Sequence, residues 1–204
     1  MTKEQYIGIA RLGVGLLGLA AIATQLLTSI ELGRNIPNFF SFFTIQSNIL
    51  VVLLLLFIGF CNLKGITGNI AFLRGAATVY IAMTGVIYFL LLSGNEEALQ
   101  TTTPWVNIVL HYLMPILLVA DWVFLPAKHP VSFRRALLWL IYPIAYLLYS
   151  FIRGGITGWY PYPFLNPVTT GWPNVVAICL IISIATVGLV WLLIQRTPKA
   201  PRER

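Results

Sequence analysis

The chain has 204 residues, 58% of them hydrophobic and only 9% charged, with a formal net charge of +7. A water-soluble domain carries roughly 25% charged residues, so too few remain here to clothe a surface facing water. That excludes a soluble globular protein, and with it the solvated basic face on which a nucleic acid would bind.

About 20 apolar residues cross a bilayer, and six windows meet that length, at roughly 6–29, 40–62, 70–92, 105–125, 134–152 and 173–195. The runs are too long and too continuous for barrel strands. The expected fold is therefore all-α: a polytopic membrane protein, one domain over residues 1–204, built as a bundle of six transmembrane helices. In the first window Ala21-Ile22-Ala23 resembles a signal-peptidase site. The apolar run nevertheless continues through Leu26, Leu27 and Ile30, so the window reads as a retained span.

Basic residues set the orientation. With the N-terminus inside, the inner segments hold Lys3, Arg11, Lys64, Arg74, Lys128, Arg134, Arg135, Arg196, Lys199, Arg202 and Arg204, while the outer loops hold only Arg34 and Arg153. Both termini are thus expected to be cytoplasmic, in a cell membrane. Glu31, Glu96 and Glu97 fall outside. Trp105, Trp159 and Trp172 lie near the outer boundary and Trp122, Trp139 and Trp191 near the inner one, as an aromatic belt requires. Under this orientation Cys61 and Cys179 sit at different depths and should remain free thiols.

Polar residues gather first at the head of the second window, in Phe39-Phe40-Ser41-Phe42-Phe43-Thr44-Ile45-Gln46-Ser47-Asn48. On a continuous helix Ser41, Thr44, Ser47 and Asn48 share one face and Gln46 points elsewhere. The fourth window carries Asn107 and His111, four apart and again on one face. A histidine inside a span is rare and faces protein or a cavity. Thr44 and His111 come out within a few Å in depth at ~1.5 Å per residue. In the fifth window a stripe of Tyr142, Tyr146, Tyr149, Ser150 and Arg153 ends at the same outer layer. Asp121 lies about 15 Å below His111 and is too deep to complete a triad with it.

The fifth connection, from Arg153 to Trp172, is rich in Gly, Pro, Trp and Tyr. It reads either as a flap over the outer end of the bundle or as an interfacial anchor. The spans show no paired charges and no inverted repeat, which counts against ion-coupled transport. Neither Cys nor His falls in metal-ligand spacing, so no metal or other cofactor is expected. No Gly-x-Ser-x-Gly elbow is present.

Two readings of the polar layer stay open. In one, Thr44, Asn48, Asn107 and His111 are interhelical hydrogen bonds, worth about 0.6 kcal/mol each in a membrane. In the other, His111 activates the hydroxyl of Thr44 or Ser47 as a nucleophile, and Asn48, Asn107, Tyr149, Ser150 and Arg153 support or bind the substrate. Arg153 suits a carboxylate or phosphate on an amphipathic lipid. A non-enzymatic lipid- or small-solute-binding protein or transporter would use the same cavity.

Phe43-Thr44, the run from Trp105 through Asn107 to His111, then Pro115, Asp121 and the Tyr- and Pro-rich fifth loop, together resemble the androgen-induced, FAR-type six-span membrane proteins. The phrase Phe43-Thr44-Ile45-Gln46-Ser47-Asn48 is similar to that of a compact microbial branch. The resemblance implies a threonine hydrolase acting on fatty acid esters of hydroxy fatty acids, with Thr44 as nucleophile and His111 as base. The Gln46-Ser47-Asn48 stretch departs from the animal members.

Overall fold

The computed structural model describes residues 1–94, 99–101 and 103–198, and all regular secondary structure among them is helical. Glu96, Glu97, Lys199, Arg202 and Arg204, which enter the charge argument above, lie outside the described residues. Six helices are long and apolar enough to cross a membrane: Lys3–Glu31, Phe43–Lys64, Ala71–Leu92, Pro104–Phe124, Phe133–Thr157 and Trp172–Ile194, here called spans one to six. Span one runs unbroken through Ala21-Ile22-Ala23. Its start is fixed by a capping box, in which the Thr2 hydroxyl accepts from the Gln5 amide and the Gln5 side chain accepts from the Thr2 amide.

Spans one to four form the core. Span three is the most buried, at 67%, and span six the least, at 17%. Spans one and two meet backbone to backbone. A Cβ built on Gly8 would stand 2.9 Å from the Gly59 carbonyl oxygen, and one on Gly59 would stand 2.9 Å from that of Gly8. Small residues permit such an approach, which dispersion then rewards where lipid offers no hydrophobic drive.

Spans five and six lie against this core more loosely. A cavity of about 150 Å³ is left between them and spans two and three.

At the end that carries the N-terminus, four spans are joined by ionic hydrogen bonds. The Asp121 carboxylate of span four receives Arg11 Nε at 2.9 Å and Nη2 at 3.2 Å from span one, and Arg74 Nε at 2.8 Å from span three. Arg11 Nη1 donates to Asn62 Oδ1 of span two at 2.9 Å. Arg74 also donates to the carbonyls of Asp121 and Leu125, and lies over the Trp122 ring. The expectation of no paired charges within the spans therefore fails. Sequence distances of 110 and 47 residues hid the partners from each other.

Two further expectations are corrected. The second window is not one helix: a short helix, Ile36–Ser41, stops at Phe42 (φ −74°, ψ 128°) before span two begins at Phe43. Ser41 therefore does not share a helix face with Thr44, Ser47 and Asn48. The fifth span extends to Thr157, so Arg153 is helical and not the start of a loop. Cys61 and Cys179 are free thiols.

Replacing Asp121 by Ala strands two buried guanidiniums. Loss of one member of a buried ionic cluster costs about 3–5 kcal/mol, and thermal unfolding of the purified variant in a neutral detergent should show a correspondingly large fall in midpoint.

Candidate functional site

The break at Phe42 exposes backbone groups that a continuous helix would have satisfied, and in lipid these must find partners. Span five supplies them. Tyr146 donates to the Ser41 carbonyl at 2.9 Å, and the Tyr149 hydroxyl pairs with Ser41 Oγ at 2.7 Å. Tyr142 donates at 2.6 Å to Gln46 Oε1, while Gln46 Nε2 reaches back to the Phe40 carbonyl at 2.8 Å. The tyrosine stripe of span five thus clasps a broken helix.

Thr44 sits in the first turn of span two, where amide groups lack an intrahelical acceptor. Its N–H donates to the Tyr162 hydroxyl at 3.2 Å, and its Oγ1 lies 3.4 Å from the same phenol oxygen. Tyr162 comes from the fifth connection, which folds inward as far as this ring. Burial raises the Tyr162 pKa, against the lowering effect of its hydrogen bonds to Thr44, so the phenol keeps its proton.

His111 lies in a π-helical turn, Val109–Leu113, within span four. In an i→i+5 ladder the Leu110 carbonyl would accept from residue 115, but Pro115 has no N–H. Asn48 of span two takes that place, with Nδ2 donating to the Leu110 carbonyl at 3.1 Å and to the Thr44 carbonyl at 2.8 Å. A second π-helical turn, Tyr88–Leu92, ends span three. The Tyr88 ring stacks on the His111 imidazole with centroids 4.0 Å apart, and its hydroxyl accepts from Asn107 Nδ2 at 2.6 Å. His111 Nδ1 is 3.2 Å from the Asn107 carbonyl. A carbonyl only accepts, so this hydrogen bond places the proton on Nδ1.

Of the eight candidate residues, Thr44 and His111 line one cavity together. They share a small one of about 20 Å³, room for about one water molecule, together with Gln25, Gln100, Thr101 and Tyr162. Thr44 and Tyr162 also border the 150 Å³ cavity, whose remaining walls are mostly apolar. Thr44 thus borders both spaces, and its hydroxyl pairs with that of Tyr162, not with His111.

The other six lie around this point. Ser47 pairs with Thr84 Oγ1 of span three at 2.8 Å. Asn48 and Asn107 hold the spans and the imidazole as described. Tyr149 and buried Ser150 belong to span five beyond the cavities. Arg153 donates to Asn38 Oδ1 at 2.5 Å and stacks on Trp159, securing the short helix and the fifth connection.

Sequence reasoning missed Tyr88, Tyr162, Thr84 and Gln25. Gln25, an amide deep in span one, carried the same intramembrane-polar signal as Asn48. Tyr88 carried none, because a tyrosine near a span end reads as an interfacial anchor.

Compared with family models, curated proteins and solved structures, the chain matches none.

Asn48→Leu keeps volume but leaves the Leu110 carbonyl unpaired. An unsatisfied buried acceptor costs about 1–3 kcal/mol, so the unfolding midpoint should fall, and a backbone carbonyl label at Leu110 should shift in the infrared toward a free amide.

Proposed function

We propose that the chain is a multi-pass membrane protein with both termini cytoplasmic, and that it hydrolyses esters of amphipathic lipids with Thr44 as nucleophile and His111 as general base. One observation carries this reading: Thr44 borders both a mainly apolar cavity and a small second cavity that it shares with His111. The resemblance to FAR-type threonine hydrolases points to the same two residues. The 11-to-2 division of basic residues supports the orientation, which puts the site in the outer half of the bilayer.

The acyl chain would lie in the 150 Å³ cavity. Ile144 and Val187 border that space and are also exposed on the outside of the bundle, which provides a lateral portal between spans five and six. The ester carbonyl would rest beside Thr44. In the reactive state the hydroxyl turns from Tyr162 to Nε2 of His111, which takes its proton as Oγ1 attacks the carbonyl carbon. The protonated Tyr162 phenol and the positive end of span two stabilise the oxyanion. Collapse breaks the ester C–O bond, and the imidazolium returns the proton to the departing alcohol. A water then attacks the acyl-Thr44 carbonyl as His111 takes its proton, and collapse breaks the C–Oγ1 bond, releasing the fatty acid while the imidazolium returns the proton to Thr44 Oγ1.

A non-enzymatic lipid-binding reading is favoured by a separate observation: Thr44 Oγ1 is bonded to Tyr162 and not to His111. Turnover of a fluorogenic long-chain acyl ester by the purified protein separates the two. Thr44→Ala and His111→Ala should abolish turnover while keeping the unfolding midpoint, and Tyr162→Phe should lower kcat by about 10²-fold. Undiminished turnover in both alanine variants removes the hydrolase; tight binding of the ester with no turnover in the wild type leaves a binding protein.

A further inference from the structure

The ionic end of the bundle contains a larger space than the Thr44 end. A cavity of about 680 Å³ opens between the start of span one, the ends of spans two and four, and the connections that follow them. Lys3, Arg11, Arg74, Lys128 and His129 line it, with Glu4 as the lining carboxylate. The charge there is unbalanced. Asp121 is shared by Arg11 and Arg74, and Glu4 is held by Lys128 at 2.9 Å and by Asn62 Nδ2 at 3.1 Å. Among the described residues, four permanent cations are thus set against two carboxylates, both already engaged.

Three features turn this excess into a site. Arg11 and Arg74 are 9% and 6% exposed and fixed by Asp121, so their guanidiniums are oriented in advance. Arg74, a lining residue, spends Nε and Nη2 on Asp121 and Leu125, while its Nη1 makes no hydrogen bond to the described residues. The walls also include Phe57, Ile66 and Phe124, at 57%, 57% and 79% exposed, so the cavity has an apolar flank on the outside of the bundle. Low-dielectric walls focus the field of the cations inside, and basic pockets between spans on the cytoplasmic side recognise anionic headgroups.

We propose that this cavity binds a phosphate-bearing anion, delivered as the headgroup of an anionic phospholipid whose chains run along Phe57 and Phe124. Nη1 of Arg74 and the ammonium groups of Lys3 and Lys128 take the phosphate oxygens. The site is independent of the hydrolase reading and lies at the other end of the spans.

The test uses the full-length protein, delipidated in neutral maltoside micelles, titrated with dioleoylphosphatidylglycerol, dioleoylphosphatidylcholine or glycerol 3-phosphate while the unfolding midpoint is followed. Phosphatidylglycerol should raise the midpoint saturably and phosphatidylcholine should not. A shift with glycerol 3-phosphate that matches phosphatidylglycerol supports the anion site with a soluble source. The pair Lys3→Gln and Lys128→Gln, both exposed and safe for folding, should raise the half-saturating phosphatidylglycerol concentration at least about tenfold. Arg74→Lys, which keeps a cation for Asp121 and removes the fork, should do the same. Lys64→Gln and Arg134→Gln, basic at the same end but outside the cavity, should not. Equal shifts with both phospholipids, unchanged affinity in the cavity variants, or an equal loss in the Lys64 and Arg134 variants would each overturn the proposal.

Discussion

One carboxylate, Asp121, is shared by two guanidiniums from different spans, and the bundle is organised around that constraint. A charge in an apolar medium must be paired or neutralised. Arg11 and Arg74 therefore dictate that spans one, three and four meet at one level, and Asn62 brings in span two through Arg11. The backbone contact of Gly8 with Gly59 follows directly beside that cluster. The ionic clasp sets the register of the four core spans at one end and leaves their other ends free to depart from regular helix.

Those departures concentrate around Thr44 and His111. The break at Phe42, the π-helical turns at Tyr88–Leu92 and Val109–Leu113, and Pro115 each free a backbone group or re-aim a side chain. Three of the backbone groups there are met by a polar side chain from another element: Tyr146 for the Ser41 carbonyl, Asn48 for that of Leu110 and Tyr162 for the Thr44 amide. Irregular backbone at membrane depth survives only where protein satisfies it. The site is thus assembled from the same groups that make its irregularity tolerable. In that sense the hydrogen-bond reading and the catalytic reading of these residues are compatible.

The two ends differ in what they can hold. At the Thr44 end the cavities are narrow and mostly apolar, and the titratable side chains bordering them are His111, Tyr146, Tyr162 and Cys179. At the basic end the cavity is wide and its permanent cations exceed its carboxylates. The proposed acyl ester would occupy the first setting and the proposed anionic headgroup the second. Span five is held mainly by tyrosine hydroxyls and ring contacts, whereas span six is tied to span four by Trp122 Nε1 donating to the Leu193 carbonyl.

The six spans, their approximate limits and the polar clusters at Thr44 to Asn48 and at Asn107 to His111 were legible from residue order, because hydrophobic length and helical periodicity are local properties. Local too was the oddness of the fifth connection, whose aromatic and proline content marked it as more than a linker. Which helices neighbour one another was not local. The pairing of Arg11 and Arg74 with Asp121, the descent of Tyr162 onto Thr44 and the stacking of Tyr88 on His111 each join residues from separate elements. The break at Phe42 was equally hidden, since phenylalanine is at ease in a helix and the interruption is stabilised by the docking of span five and of Tyr162. Sequence alone determined what must lie in lipid and which side chains could not lie there unpartnered; tertiary structure decided the partners, because pairing depends on how helices are arranged around one another and no periodicity along the chain encodes that.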